Sequence, residues 1–210
     1  MKVILTGSTG FIGREVLNQC LHHPAITSVV ALSRRDLPAH DKLHVVIIDD
    51  FLVYPASARE IIKGADACIW TLGKARISDN ETARRVSVDY TLAAAQMFQD
   101  VCPDSFRFVY CSGAAAEKDQ TKSLWFMQDY RRLRGEVESA LLEFARGSPG
   151  LEAYIMRPAM VLSREVSLHR LVFSLGPSVS VDTLAGKMVR LALDGGDKKM
   201  WENAEINEGQ

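Results

Sequence analysis

The string GSTGFIG places Gly7, Gly10 and Gly13 directly after a short apolar run and at the start of a helix-like segment. Glycines so placed suit the pyrophosphate of a dinucleotide. One permits the tight turn, another lets the backbone approach the phosphates, and a third lets helix and strand pack closely, while the helix N-terminus faces the negative charge. Gly7, Thr9, Gly10, Phe11 and Ile12 are the expected contacts of this turn. The spacing is GxxGxxG rather than the GxGxxG of many dehydrogenases, and a bare strand-to-helix turn would share its composition.

The next apolar run ends in LSRR, Leu32 to Arg35, where an NAD-binding chain would carry an acid for the ribose 2′-hydroxyl. The guanidinium groups of Arg34 and Arg35, with Ser33, suit a 2′-phosphate through charge-assisted bonds, which favours NADP(H) over NAD(H). Asp36 beside them argues the other way, and two solvated loop arginines would look the same. Further on, Asp50 could accept from an adenine amino group with Phe51 lining the ring, and Thr71, Leu72 and Gly73 would let a ribose pass close to the backbone.

These four clusters each follow a strand-like run. KVILT, SVVALS, KLHVVIID, ADACIWTL, FRFVYC and LEAYIMR are apolar on both faces, as strands inside a parallel sheet are. Between them FIGREVLNQCLHH, PASAREIIKG, DNETARRVSVDYTLAAAQMFQD and SLWFMQDYRRLRGEVESALLEFARG carry apolar residues at helical spacing. The alternation predicts an α/β fold: a Rossmann-type doubly wound, mostly parallel sheet flanked by helices, whose ligands bind at the carboxyl ends of the strands. One domain is expected over residues 1–210, with 158–210 as a small substrate cover that includes the helix-like VDTLAGKMVRLALDGG.

Composition narrows the partners. With 47% apolar residues, 24% charged and a net charge of −1, the chain reads as globular, with no nucleic-acid surface. No apolar run reaches the roughly 18 residues that span a bilayer, and the start lacks the pattern of a signal peptide, so a cytoplasmic protein without membrane partners is expected. Cys20, Cys68, Cys102 and Cys111 form no CxxC pair and no Cys/His cluster, which argues for reduced thiols and no metal site. Of the five histidines only His169 is placed to meet a substrate, and a helix-surface role fits it equally.

TGSTGFIG, LSRR, DF, TLG, VDYTLAAAQ, the YxxxR of Tyr130 and Arg134 followed by GEVE, RPAMVL and WENAEIN together resemble an atypical short-chain dehydrogenase/reductase. They are most similar to the NAD(P)H-binding group that includes the Tat-interacting protein oxidoreductase. The resemblance runs over essentially the whole chain and implies a Ser-Tyr-Lys site. The cation four residues after the tyrosine shares its helix face, favours the charged phenol and holds the nicotinamide ribose. The phenol exchanges a proton with a carbonyl or carbinol oxygen that the serine polarises. Carried over, Tyr130 is the tyrosine and Ser112 the serine, Arg134 stands at the lysine position, and Gly113 stands where relatives often have a second serine. Arg134 can hold a charge and a ribose, but it cannot relay a proton. Arg157 and Pro158 read as a strand terminus beside the nicotinamide.

The implied function is an NADP(H)-dependent oxidoreductase of a small or medium carbonyl or alcohol, with catalytic Tyr130, Ser112 and Arg134. Arg134 and Gly113 keep two alternatives open: a cofactor-binding regulatory protein without turnover, and a non-redox isomerase or lyase-like enzyme. Tyr130 in a solvated basic stripe with Arg131, Arg132 and Arg134 is the structural alternative to any catalytic role. The mainly apolar segment 163–180 hints at a greasy or anionic small-molecule substrate, and both a monomer and a homodimer fit the sequence.

Overall fold

Strands that are apolar on both faces need a helical layer on each side, and the computed structural model supplies both. It describes residues 1–73, 79–102, 104–163 and 176–208; His169 and most of the 163–180 segment lie outside them. The first half runs β1 (Lys2–Thr6), α1 (Phe11–His22), β2 (Ser28–Ser33), β3 (Leu43–Ile47), α2 (Ala56–Ile62) and β4 (Ala67–Trp70). Next come α3 (Asn80–Arg84), a π-helical turn (Arg85–Asp89), α4 (Tyr90–Val101), β5 (Phe106–Cys111), α5 (Gln128–Gly147) and β6 (Leu151–Arg157). The chain closes with β7 (Met160–Leu162), β8 (Ser178–Ser180), α6 (Val181–Asp194), β9 (Met200–Glu202) and α7 (Asn203–Asn207).

Seven strands form one sheet in the order β3-β2-β1-β4-β5-β6-β9, and every pairing in it is parallel. Strand order reverses at β1, so β1 and β4 flank the crevice where such sheets bind ligands. Alternate residues of each strand feed opposite cores. Ile4, Phe108 and Tyr110 pack with α2, α4 and α5, including Ala58, Phe98, Val137 and Leu141. Val3, Leu5 and Val109 face α1 and α6, including Val16, Cys20, Leu184 and Met188.

The described part of the last fifty residues adds to the main fold. Helix α6 is a core helix, with Leu184, Ala185, Met188 and Ala192 fully buried, and β9 pairs with Ile155–Arg157 as an edge strand of the main sheet. Residues 181–202 therefore complete the sandwich, because β6 and the α1 face would otherwise leave apolar surface in water. Met160–Leu162 and Ser178–Ser180 pair as a separate two-stranded ribbon, β7-β8. No helix among the described residues is long and apolar enough to cross a membrane.

Candidate dinucleotide and catalytic site

At the nucleotide end Gly7 has φ +70°, a backbone conformation open to glycine, and a Cβ there would lie 2.6 Å from Thr71 Oγ1. A Cβ on Gly13 would lie 2.1 Å from the Gly7 carbonyl oxygen, so no side chain fits between turn and helix. The turn is closed by the Gly10 N–H donating to the Gly7 carbonyl at 2.8 Å. Thr71 fastens it from below, donating its hydroxyl to the Thr6 carbonyl at 2.7 Å. Gly10 caps α1 with no side chain, and the first turn of the helix, with half-exposed Phe11 at its start, holds no acid. Its N–H groups face outward toward an anion.

Gly7, Ser8 and Thr9 line a cavity of about 150 Å³ with Leu32 and Ser33 from the end of β2. Arg34, Arg35, Phe51 and Leu72 close it. Two features of this cavity fit a bound dinucleotide. Ser8 is 1% exposed, yet its hydroxyl has no hydrogen-bond partner among the described residues, a cost that a phosphate oxygen would relieve. Arg34 and Arg35 are exposed at the rim, and neither meets a carboxylate within 4 Å among the described residues.

Asp50 does not join this cavity. Its carboxylate accepts the Leu52 N–H at 3.1 Å and pairs with Arg85 at 2.7 Å. The Leu52 hydrogen bond and the Arg85 charge hold its pKa below the ordinary carboxylate value. Its neighbour Phe51 lines the cavity and is buried against Trp70 and Tyr90 with ring centroids 5.8 and 5.6 Å away.

At the catalytic end α5 presents Tyr130, Arg134 and Glu138 at successive four-residue steps, hence along one face. Arg134 is nearly buried. Its Nη1 donates to the Cys111 carbonyl at 2.7 Å and to the Tyr110 hydroxyl at 3.2 Å. Its Cζ stands 5.2 Å from the centre of the Tyr130 ring. Burial opposes this charge, but Tyr110, Tyr130 and Cys111 around it leave its pKa above the ordinary arginine value. Burial also raises the pKa of Tyr110, so its phenol stays neutral beside the cation. Nη2 of Arg134 faces Gly73, 3.1 Å from where a Cβ would stand, and Nε has no partner among the described residues. A ribose lying over Gly73 would meet these donors.

Ser112 meets the third residue of this face. Its hydroxyl donates to Glu138 Oε1 at 2.5 Å, and Glu138 is fully buried. Arg157 reaches the same carboxylate through Nε, at 3.0 and 3.1 Å, and through Nη2. Its Nη1 continues to Glu202 at 3.1 Å. Ser112 and Arg157, expected at the substrate and the nicotinamide, therefore serve a buried ion pair that ties α5 to the ends of β5, β6 and β9. Pro158 has a backbone role, its carbonyl accepting the Ala114 N–H at 2.8 Å. The residue that faces the tyrosine is Gly113: a Cβ there would lie 3.9 Å from the Tyr130 hydroxyl.

Sequence reading missed Glu138, although the four-residue steps from Tyr130 through Arg134 lead to it. Its acid in an amphipathic helix looks solvent-facing until its burial is known. Ser8, inside the glycine string, was passed over in favour of its neighbours.

A parallel sheet with a glycine turn at its switch point, a basic rim and a tyrosine-cation pair on the crossover helix defines a dinucleotide-binding Rossmann protein. The chain belongs to the NAD(P)H-binding family, whose profile matches residues 7–193. It is 32% identical over 116 residues to the leucinostatins biosynthesis cluster protein T of Purpureocillium lilacinum, a stretch covering 53% of this chain and 42% of that one. It is 31% identical over 180 residues to the hybrid PKS-NRPS synthetase poxE of Penicillium oxalicum, covering 77% of this chain and 4% of that one. The chain thus spans less than half the length of these relatives. Among solved structures, Gre2 of Candida albicans in complex with NADPH superposes with a TM-score of 0.74 at 16% identity, covering 96% of this chain and 77% of that one. That likeness is one of fold.

Proposed function

We propose that the chain is an NADP(H)-dependent oxidoreductase that interconverts a small or medium carbonyl and the corresponding alcohol. The observation that carries this reading is the Tyr130-Arg134 pair at the carboxyl edge of the sheet, with Arg134 Nη2 beside Gly73 and its Cζ 5.2 Å from the Tyr130 ring centre. Arg34 and Arg35 at the rim of the nucleotide cavity favour a 2′-phosphate.

A reduced nicotinamide supplies the hydride when bound. Ser8 and the α1 N-terminus would hold the pyrophosphate, and Arg134 the nicotinamide ribose. As hydride reaches the carbonyl carbon, Tyr130 gives its proton to the oxygen, and the phenolate left behind stands beside a permanent cation. Arg134 keeps its own proton, so the half-exposed Tyr130 is reprotonated from water. The proton given by Tyr130 completes the alcohol.

A second reading, cofactor binding without turnover, is favoured by one observation: the Ser112 hydroxyl is engaged by Glu138, and position 113 is glycine. One experiment separates the two. NADPH and NADH are titrated by nicotinamide fluorescence, and a panel of aldehydes and ketones is then turned over with NADPH. The oxidoreductase reading expects turnover that Tyr130→Phe lowers by about 10²- to 10⁴-fold with unchanged NADPH affinity. Binding with no turnover on any substrate would leave the second reading, and failure to bind either nucleotide would sink both.

A further inference from the structure

We propose that the main-chain N–H of Gly113 is the second hydrogen-bond donor to the substrate oxygen, opposite the Tyr130 hydroxyl. The proposal rests on the oxidoreductase reading and names the group that polarises the oxygen in place of a serine. Pairing between β5 and β6 continues past the end of β5. The Ser112 N–H donates to the Met156 carbonyl and the Ala114 N–H to the Pro158 carbonyl, both at 2.8 Å. In a parallel ladder, neighbouring residues send their amides to opposite sides. Gly113 lies between these two, so its N–H points away from β6 and toward the end of β4. That is the side on which the Cys111 carbonyl receives Arg134 and on which Gly73 meets the same guanidinium.

Three further observations converge. The Gly113 N–H has no acceptor among the described residues, although the residue is half-buried, and a main-chain donor in such a place ordinarily finds a partner. Among the described residues, the only side-chain atom within 4 Å of the Gly113 Cβ position is the Tyr130 hydroxyl, at 3.9 Å. The hydroxyl of the adjacent Ser112 is engaged elsewhere, donating to Glu138 Oε1 at 2.5 Å. A carbonyl oxygen lying over the gap between β4 and β5 would meet a fixed amide on one side and the acidic phenol on the other. As hydride adds to the carbon, the growing negative charge is stabilised by an amide that needs no reorientation.

The amide is removed by replacing Gly113 with glycolate, which turns the peptide link from Ser112 into an ester and adds no side chain. With NADPH and the best carbonyl of the panel, the ester protein is expected to lose about 10²- to 10³-fold in kcat, with NADPH affinity and melting temperature close to those of the unmodified protein. An ester protein with undiminished kcat overturns the assignment while the oxidoreductase reading stands.

A second readout needs no turnover. In protein carrying ¹⁵N-glycine and saturated with NADP⁺, trifluoroethanol, an alcohol that resists oxidation, is expected to move the Gly113 amide proton downfield and slow its exchange. A Gly113 signal indifferent to trifluoroethanol counts against the donor. A signal that moves in a protein without carbonyl turnover retires the redox reaction and leaves the donor in place.

Discussion

Glu138→Gln is the most telling single change, because one atom type alters and the volume stays the same. Three donors converge on the Glu138 carboxylate: the Ser112 hydroxyl at 2.5 Å, Arg157 Nε at 3.0 and 3.1 Å, and Arg157 Nη2. A carboxylate answers all three with two acceptor oxygens. An amide presents one acceptor and two donors, so at least one N–H must point at another donor in a site with 0% exposure. Breaking a buried ion pair from one side costs about 3–5 kcal/mol. Here the lower end applies, because Arg157 keeps Glu202 at 3.1 Å, whose side chain is 47% exposed. A loss of about 3 kcal/mol corresponds to a fall of about 6–12 °C in Tm for a chain of this size. Thermal unfolding followed by circular dichroism measures it, and the double variant Glu138→Met with Arg157→Met supplies the control. With both charges gone no ion is stranded, and the double variant should lie within about 1–2 kcal/mol of the natural protein. A single variant that melts within about 2 °C of the natural protein, or a double variant worse than the single, would show that the three donors do not depend on this carboxylate.

The remaining predictions test the rim, the thiols and the acid limb of stability. Arg34→Ala combined with Arg35→Ala should weaken NADPH binding about 10- to 100-fold while NADH affinity changes little; equal weakening of both in the fluorescence titration would remove the 2′-phosphate reading. Cys20, Cys68, Cys102 and Cys111 are all buried, and desolvation pushes the thiol of Cys20 up to about 12 and that of Cys111 up to about 11. A thiol-disulfide reagent at pH 8 should therefore modify none of them before unfolding and all four after it, and fast labelling of the native protein would contradict the packing. The Lys199 hydrogen bond, then that of Tyr154, holds the Glu152 pKa below its ordinary value. A depressed carboxyl stabilises the fold above its unfolded pKa and ceases to do so as pH falls through the folded one. Glu152→Gln should thus cost stability at pH 7, with the gap closing below about pH 4; a constant difference in chemical denaturation would exclude the linkage.

Apolar periodicity made the inner strands legible. SVVALS became β2 and FRFVYC became β5 residue for residue, because strands apolar on both faces have one place in such a sheet. MWE was not legible as β9: three residues with one acid carry no period, and only the open edge of β6 makes them a strand. In the site, sequence disclosed residue types and helix faces but not directions. Gly7 and Gly13 behaved as their spacing implied, because a turn between strand and helix is local. Ser112 did not, since whether a hydroxyl points to the crevice or beneath it depends on Glu138, 26 residues away. Asp50 was likewise claimed by Arg85, across a sequence distance of 35 residues.

Two adjacent arginines beside the π-helical turn reach in different directions. Arg84 grips Glu136 on α5 through two bonds of 2.8 and 2.6 Å, while Arg85 grips Asp50 next to Phe51. The turn therefore behaves like the pivot of a pair of callipers, one jaw on the tyrosine-bearing helix and the other on the far end of the nucleotide cavity. Deleting one residue from the wide turn would rotate the following helix by roughly 100°, so α4 could keep its core contacts or the arginines their grips, but not both. A change of length in this turn therefore sets the two arginine grips against the core, although the lining of the nucleotide cavity includes no residue of the turn.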